Sequence, residues 1–485
     1  MHKVAVSILS FIFVIKGYSD DSIKIQQKNY SSDLTETVDN VTMQYGESLN
    51  KSKLNQIETY TYDDLINSQL NTSYLKYKSF NGFRVNEVFS HAMLNPLKRT
   101  GHPLFMMQSR KDGLLEDGYI YTGGKAAFID WNRLHAIHNQ GTTKDFSYFI
   151  DGYVASTLSK WVSAFGSLTI YNDGAGTHVI PYSWYVTVGD LSESNVFGYI
   201  ANDVVMFGNF DIVSNFVSTL TRLYFMQSGG NANLSYATDS ILLNAVILNS
   251  NTKGYFGTTN ADSKGGIGYT LNAKYTYKMS TEGDYQYFGI SYTNSSGFNS
   301  TTNGRVGIFD AHYVAAISDF NFFLEGAVTD KGVSGVNYSS AISSNKISGV
   351  PFFGSIRPDS QYIYDNFLNS GDMVGSWSIQ GSYTWNLFEK SFITYLDYSQ
   401  LYQSTNNNAL QYGGGFRYNI LYSSWLGLDY TSITTKSTDY KSSQNYLSIS
   451  YVILCLIYFS LSKLSSFVLP NPLFLIQGHR FLVNN

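Results

Sequence analysis

The residues that could do chemistry are few and scattered. His135-Ala-Ile-His138 has the form of a ligand pair, since two imidazoles close in sequence can share a metal ion. It falls in a predicted loop with no Glu or Cys at ligand spacing, so the remaining ligands of a metal site are missing. No Gly-x-Ser-x-Gly stretch turns from a strand into a helix as a nucleophile elbow does. Cys455 is the only cysteine, which rules out a disulfide framework within the chain. Gly229-Gly230 and Gly265-Gly266 sit at strand starts and read as turns rather than phosphate cradles. A catalytic site needs a nucleophile and a base brought together, and no stretch supplies them. The expectation is a protein that is not an enzyme and has no cofactor.

What remains is a set of charges spaced by twos along apparent strands: Lys274, Lys278, Asp310, His312, Glu325, Asp397, Arg417 and Asp429. Each falls on the polar side of an alternating stretch. Their signs are mixed, and charge selectivity needs rings of one sign. They read as solvated lining of a wide polar lumen.

The elements that carry them alternate strictly. In Trp377–Leu387, Trp377, Ile379, Gly381, Tyr383, Trp385 and Leu387 fall on one side. Ser378, Gln380, Ser382, Thr384 and Asn386 fall on the other. Leu410–Tyr422 repeats the pattern, with Leu421 the one exception. Soluble strands run to about five or six residues. These run to roughly a dozen with aromatics near the ends, as strands crossing a bilayer at a tilt do. The predicted fold is an all-β transmembrane antiparallel barrel.

Composition agrees. The chain has 485 residues, with 14% charged, 40 Tyr, 41 Gly and only 7 Pro. Mean hydropathy is -0.14, far from that of a helical membrane protein. A net charge of -4 gives no reason to expect a nucleic-acid partner. Lys3, the apolar run 5–15 and the small residues Gly17 and Ser19 form a signal-peptide pattern with cleavage expected near residue 19.

Four regions follow. Residues 1–19 are the signal peptide, and 20–117 are a polar periplasmic segment with a possible short helix in 49–75. Residues 118–451 are the barrel, and 452–485 are an atypical tail. The first eight candidate strands are 118–128, 146–157, 161–171, 183–189, one between 196 and 227, 232–237, 241–248 and 267–278. The second eight are 287–293, 305–317, 320–328, 377–387, 392–401, 410–422, 426–432 and 446–451. Short and long connections alternate, as periplasmic turns and external loops do. The first strand should start, and the last should end, on the periplasmic side, which demands an even number. The fifth strand is inferred partly from that parity.

Three features stand apart. The long connection 329–376 contains Pro351, Phe352, Phe353 and Arg357, an apolar Pro-bearing stretch that could fold into the pore as a constriction. Gly413-Gly414-Gly415 inside a strand suggests a kink or a close approach. The tail loses alternation after Tyr451 and contains no Asp or Glu. It is either an appendage, such as one from a shifted reading frame, or a genuine C-terminal extension. Tyr451 would be the aromatic end that serves insertion by the barrel-assembly machinery.

The stretch Gln108-Ser-Arg-Lys-Asp-Gly-Leu-Leu-Glu-Asp-Gly-Tyr-Ile-Tyr-Thr-Gly-Gly124 resembles the siderophore-porin family of Legionella and Francisella outer membranes (LbtU, FslE and FupA). So do Trp184-Tyr-Val-Thr-Val-Gly189 and Phe207-Gly-Asn-Phe210. The resemblance implies a barrel of about sixteen strands in the bacterial outer membrane, in contact with its lipid. It also implies passage of ferric siderophore, or of iron, without a TonB-type plug. A TonB-dependent receptor needs about 22 strands and a folded plug, and 20–117 is too short and unpatterned for one. A general diffusion porin, or a structural envelope protein with no specific ligand, is the alternative.

Overall fold

A sheet whose strands are apolar on one face and polar on the other must hide one face from its surroundings. Here it does so by closing on itself. The computed structural model describes residues 83–84, 86–94, 101–136, 144–172, 177–215, 217–249, 253–254, 267–278, 284–296, 298, 305–333, 371–387, 390–403, 407–421, 424–436 and 441–455. Among these, sixteen long strands form the wall. The first eight are β1 (Ile120–Ala136), β2 (Lys144–Ser159), β3 (Val162–Asn172), β4 (Thr177–Gly189), β5 (Val196–Val204), β6 (Gln227–Ala237), β7 (Ile241–Leu248) and β8 (Gly268–Lys278). The second eight are β9 (Tyr285–Thr293), β10 (Ile308–Ile317), β11 (Phe320–Thr329), β12 (Val374–Leu387), β13 (Lys390–Gln403), β14 (Asn408–Leu421), β15 (Ser424–Lys436) and β16 (Lys441–Cys455). Two further paired stretches, Phe83–Arg84 and Lys253–Gly254, are two residues long each.

Each long strand pairs antiparallel with the next in sequence. β16 pairs back onto β1, from Gln444 opposite Ala136 to Cys455 opposite Gly124, so no edge is left open. The two faces have opposite character. Leu396 is 73% exposed, and its neighbour Asp397 is 5% exposed. Ile379, Tyr383, Trp385, Tyr412 and Ile420 point outward, while Ser378, Gln380, Ser382, Gln411 and Arg417 are buried on the inner face. A closed sheet with apolar side chains outside is built for a bilayer. No helix among the described residues is long and apolar enough to cross one. The crossing elements are strands.

Tight turns collect at one end of the barrel, at 160–161, 238–240 and 318–319. Ser318 takes a left-handed φ of 54° there. Longer connections, 205–226 and 330–373, leave from the other end. β1 begins, and β16 ends, at the tight-turn end.

Several boundaries differ from the sequence reading. The fifth strand is β5, immediately after the 190–195 turn. β1 runs on to Ala136, because Ile129 to Asn132 keep pairing with β2 and the pairing with β16 continues to Ala136. His135 therefore lies in β1 and not in a loop. Gly229 and Gly230 are not turn residues: they pair with Asp203 and Asn202 at the start of β6. The sheet also continues past Tyr451, since Val452 to Cys455 pair with residues 124–127. Alternation fades there because Val452 turns inward against Ala127 and Trp425, where an apolar residue is accepted. His138, Gly265, Gly266 and the expected signal peptide lie outside the described residues. So do the possible helix in 49–75 and the tail beyond Cys455.

Candidate functional site

The inner face of the barrel is not an open wet wall. Chain from two places fills against it, and three of the predicted lumen charges, Glu325, Arg417 and Asp429, reach the second of these inserts.

The first insert is N-terminal. Helix α1 (Glu87–Met93) starts at Asn86, whose side chain accepts from Phe89 N at 2.9 Å and donates to Leu114 O at 3.0 Å. Helix α2 (His102–Lys111) follows, opened by Gly101 at φ 83° with Pro103 in its first turn. Inward-facing Tyr153, Phe165 and Tyr185 on β2, β3 and β4 stack in a row, with centroids 5.5 and 4.9 Å apart. Phe89 of α1 packs on Tyr153 at 5.8 Å and on Phe105 of α2 at 5.8 Å. Ser90 bonds the Tyr153 hydroxyl at 2.7 Å, and Lys125 of β1 donates to Leu94 O. Arg110 at the end of α2 reaches Ser163 at 2.9 Å and Ser159 O at 2.8 Å beside a tight turn. Residues 86–94 and 101–117 were expected in the periplasm, so this is a correction. Their apolar side chains match the aromatic row inside β2–β4, and burying both offsets the entropy of ordering the segment.

The second insert is the connection from β5 to β6. Residues 205–226 turn into the lumen and end in the short helix α3 (Leu220–Phe225), capped by Thr219. Its backbone is tied down almost residue by residue. Asn209 and Phe210 N–H donate to the Glu325 carboxylate on β11 at 2.7 and 3.0 Å. Val213 N–H donates to Gln380 on β12 at 3.0 Å, and Gln380 returns a bond to Asp211 O at 2.9 Å. Asn215 binds Asp429 on β15 twice, at 3.1 Å each. Gln411 on β14 donates to Ser218 O, and Ser399 on β13 accepts from Leu220 N. Tyr287 on β9 donates to Asn209 Oδ1 at 2.7 Å. An irregular backbone cannot lie buried unless its polar groups are paired, and the polar faces of β9 and β11–β15 supply the partners.

The predicted lumen residues fall accordingly. Asp310, His312, Glu325, Asp397, Arg417 and Asp429 all face inward and are buried. Lys274 is half-buried, its ammonium 4.5 Å from the Tyr287 ring centre. Lys278 ends β8, and its side chain is outside the described residues. Glu325 and Asp429 hold the loop directly. Arg417 lies over Trp425 at 5.4 Å and reaches toward Val213 O at 3.4 Å. Asp397 lies 3.4 Å from the Gln411 amide. Glu325, Arg417 and Asp429 are therefore not solvated lining: they are buried partners of an inserted chain. Period-two reading gives the face a residue is on, but not what lies opposite it.

The residues that do most of the tethering from the loop, Asn209 and Asn215, were not anticipated. Neither were the loop's wall partners Gln380, Tyr395, Ser399 and Gln411. One signal was present: 204–213 is largely apolar, without alternation, where a solvated external loop should be polar. Pro351, Phe352, Phe353 and Arg357, expected as the constriction, lie outside the described residues. Gly413 and Gly415 do mark close approaches. A Cβ at Gly413 would lie 2.6 Å from Asp397 Oδ2, and one at Gly415 2.6 Å from the Tyr395 hydroxyl.

A closed sixteen-stranded antiparallel barrel with an apolar exterior and an inserted lumen defines a transmembrane β-barrel. No protein-family model matches the sequence, and no curated protein matches it. Among solved structures, the chain is similar to Salmonella typhi OmpF in complex with daunomycin, at 10% identity and a TM-score of 0.47. That alignment covers 69% of this chain and 98% of that one. It is also similar to the outer membrane channel DcaP of Acinetobacter baumannii, at 12% identity and a TM-score of 0.45, over 69% of this chain and 97% of that one. A mutant of the Rh. blastica porin aligns at 10% identity and a TM-score of 0.38, over 69% of this chain and 100% of that one. These are likenesses of fold alone.

Proposed function

We propose that the protein is a bacterial outer-membrane channel for small solutes, with its lumen narrowed from within. The carrying observation is the tethering of 205–226 to the inner wall. A wall alone is enough to sit in a membrane. Chain folded inside it and fixed by buried hydrogen bonds to β9 and β11–β15 serves whatever passes along the lumen. The route requires no chemistry, in keeping with a protein that is not an enzyme. Its surroundings are outer-membrane lipid, reached by way of the barrel-assembly machinery.

A selective reading, uptake of ferric siderophore or iron, is favoured by one observation. Phe207-Gly-Asn-Phe210, part of the stretch that resembles siderophore porins, is the segment Glu325 grips inside the lumen. Liposome swelling with sugars of rising size, beside uptake of labelled ferric siderophore by complemented cells, separates the two. Permeation that falls smoothly with sugar size supports the general channel. Saturable siderophore uptake without sugar permeation supports the selective one. Neither, from protein folded in the membrane, contradicts both.

A further inference from the structure

Asp310, His312 and Glu325 meet where the wall grips the inward loop. Register places them: His312 is directly opposite Glu325 across β10 and β11, and Asp310 is two residues from His312 on the same face. One ligand atom from each lies within 4.8 Å of the other two. His312 Nδ1 is 2.9 Å from Asp310 Oδ1. The Asp310 side chain is fully buried, and its Oδ2 has no donor. An oxygen of the Asp310 carboxyl lies within 4.8 Å of one of the Glu325 carboxyl. Two carboxylates are both acceptors and repel at this separation, which a cation between them would relieve. Lys274 and the loop residue Asp211 are the other charges acting on the imidazole.

We propose that Asp310, His312 and Glu325 hold a resident divalent transition-metal ion that fastens residues 208–211 to the wall. One imidazole with two carboxylates is a donor set for ions of the manganese(II) to zinc(II) class. The imidazole is seated for this. A Cβ at Gly289 would lie 2.0 Å from His312 Nε2, so only glycine leaves room for the ring over β9. Tyr287 meets the ring edge-on at 6.0 Å. Glu325 would join metal to loop, because the same carboxylate accepts from Asn209 and Phe210 N–H. The ion is part of the barrel and not its cargo.

The test uses full-length protein folded in detergent, stripped with EDTA, loaded with manganese(II) and freed of unbound metal. Mass spectrometry should find about one manganese per chain. Pulsed electron paramagnetic resonance on the unmutated protein should show coupling to one imidazole nitrogen, which requires no variant to fold. Asp310→Asn and His312→Gln, checked for the folded barrel by heat-dependent electrophoretic migration, should lose at least about tenfold of the bound metal. Unmutated protein that retains no manganese, or manganese without nitrogen coupling, would overturn the proposal. Binding unchanged in both folded variants would overturn it as well.

Discussion

Asn215, on the inward loop, donates its backbone N–H and its side-chain amide to the two carboxylate oxygens of Asp429, each at 3.1 Å. The Tyr395 hydroxyl donates to the same carboxylate. The wall opens to receive this residue, since a Cβ at Gly427 would lie 2.2 Å from Asn215 Nδ2. Loop and wall are therefore fitted to each other at one point, 214 residues apart in sequence. Asn215→Ala and Asp429→Asn should couple by about 1–3 kcal/mol in a double-mutant cycle. Urea unfolding in lipid vesicles reads the coupling, and additive effects would show that the contact contributes nothing.

Glu325 is the second anchor. Removing its carboxylate takes away the acceptor that Asn209 and Phe210 N–H share, while Gln keeps one oxygen in place. Glu325→Ala should cost about 3 kcal/mol, and Glu325→Gln less. Both should increase current noise in planar bilayers as the loop loosens. Quiet single-channel traces from a folded Glu325→Ala variant would contradict the tether.

The assignment of inner and outer faces is tested by Leu396, the most exposed of the large apolar side chains at 73%. It pairs with Gly381 and Gly414 near the middle of β12 and β14. In lipid, Leu396→Arg should cost about 2–4 kcal/mol. In a barrel surrounded by water the same change would be neutral, as exposed surface substitutions usually are. Unfolding in vesicles distinguishes the two.

The 190–195 turn gives a pH signature outside the membrane. Burial works against the Asp190 charge. Hydrogen bonds from Ser192 (N–H at 2.9 Å, hydroxyl at 2.6 Å) and the Lys160 ammonium at 3.6 Å outweigh it, and hold the carboxyl below its ordinary value of 3.8. A depressed folded pKa contributes stability that is full above the unfolded value and lost as pH falls through the folded one. Asp190→Asn should therefore cost about 1 kcal/mol at neutral pH. That difference should stay flat down to about pH 5 and shrink below about pH 4. A difference that grows on acidification would contradict the sign.

The wall was legible because a strand facing lipid on one side and protein on the other must alternate. Ile241–Leu248 reads to the residue, and Trp377–Leu387 sorts its side chains correctly between the faces. The inserts were not legible for the same reason. Residues 205–215 and 217–226 and most of α2 are buried by partners distant in sequence, so no period marks them. Apolar residues such as Leu104 to Met107 are then free to occur in runs. Apart from Lys278, whose side chain is outside the described residues, the candidate charges were placed on the right face, yet the role of Glu325 and Asp429 depended on Asn209 and Asn215, short polar residues that look like ordinary loop composition. His135 was misplaced because β1 outruns its apolar pattern.

The most direct test is single-channel conductance of the full chain beside a variant in which 206–225 is replaced by a short turn. Val205 N–H already bonds Gln227 O at 3.0 Å, so the ends are close enough to join without moving β5 or β6. If the loop narrows a channel, the variant, still a folded barrel, should conduct several-fold more than the full chain in the same salt. Equal conductance from two folded proteins would contradict the account and leave the inserted loop as packing inside a closed barrel.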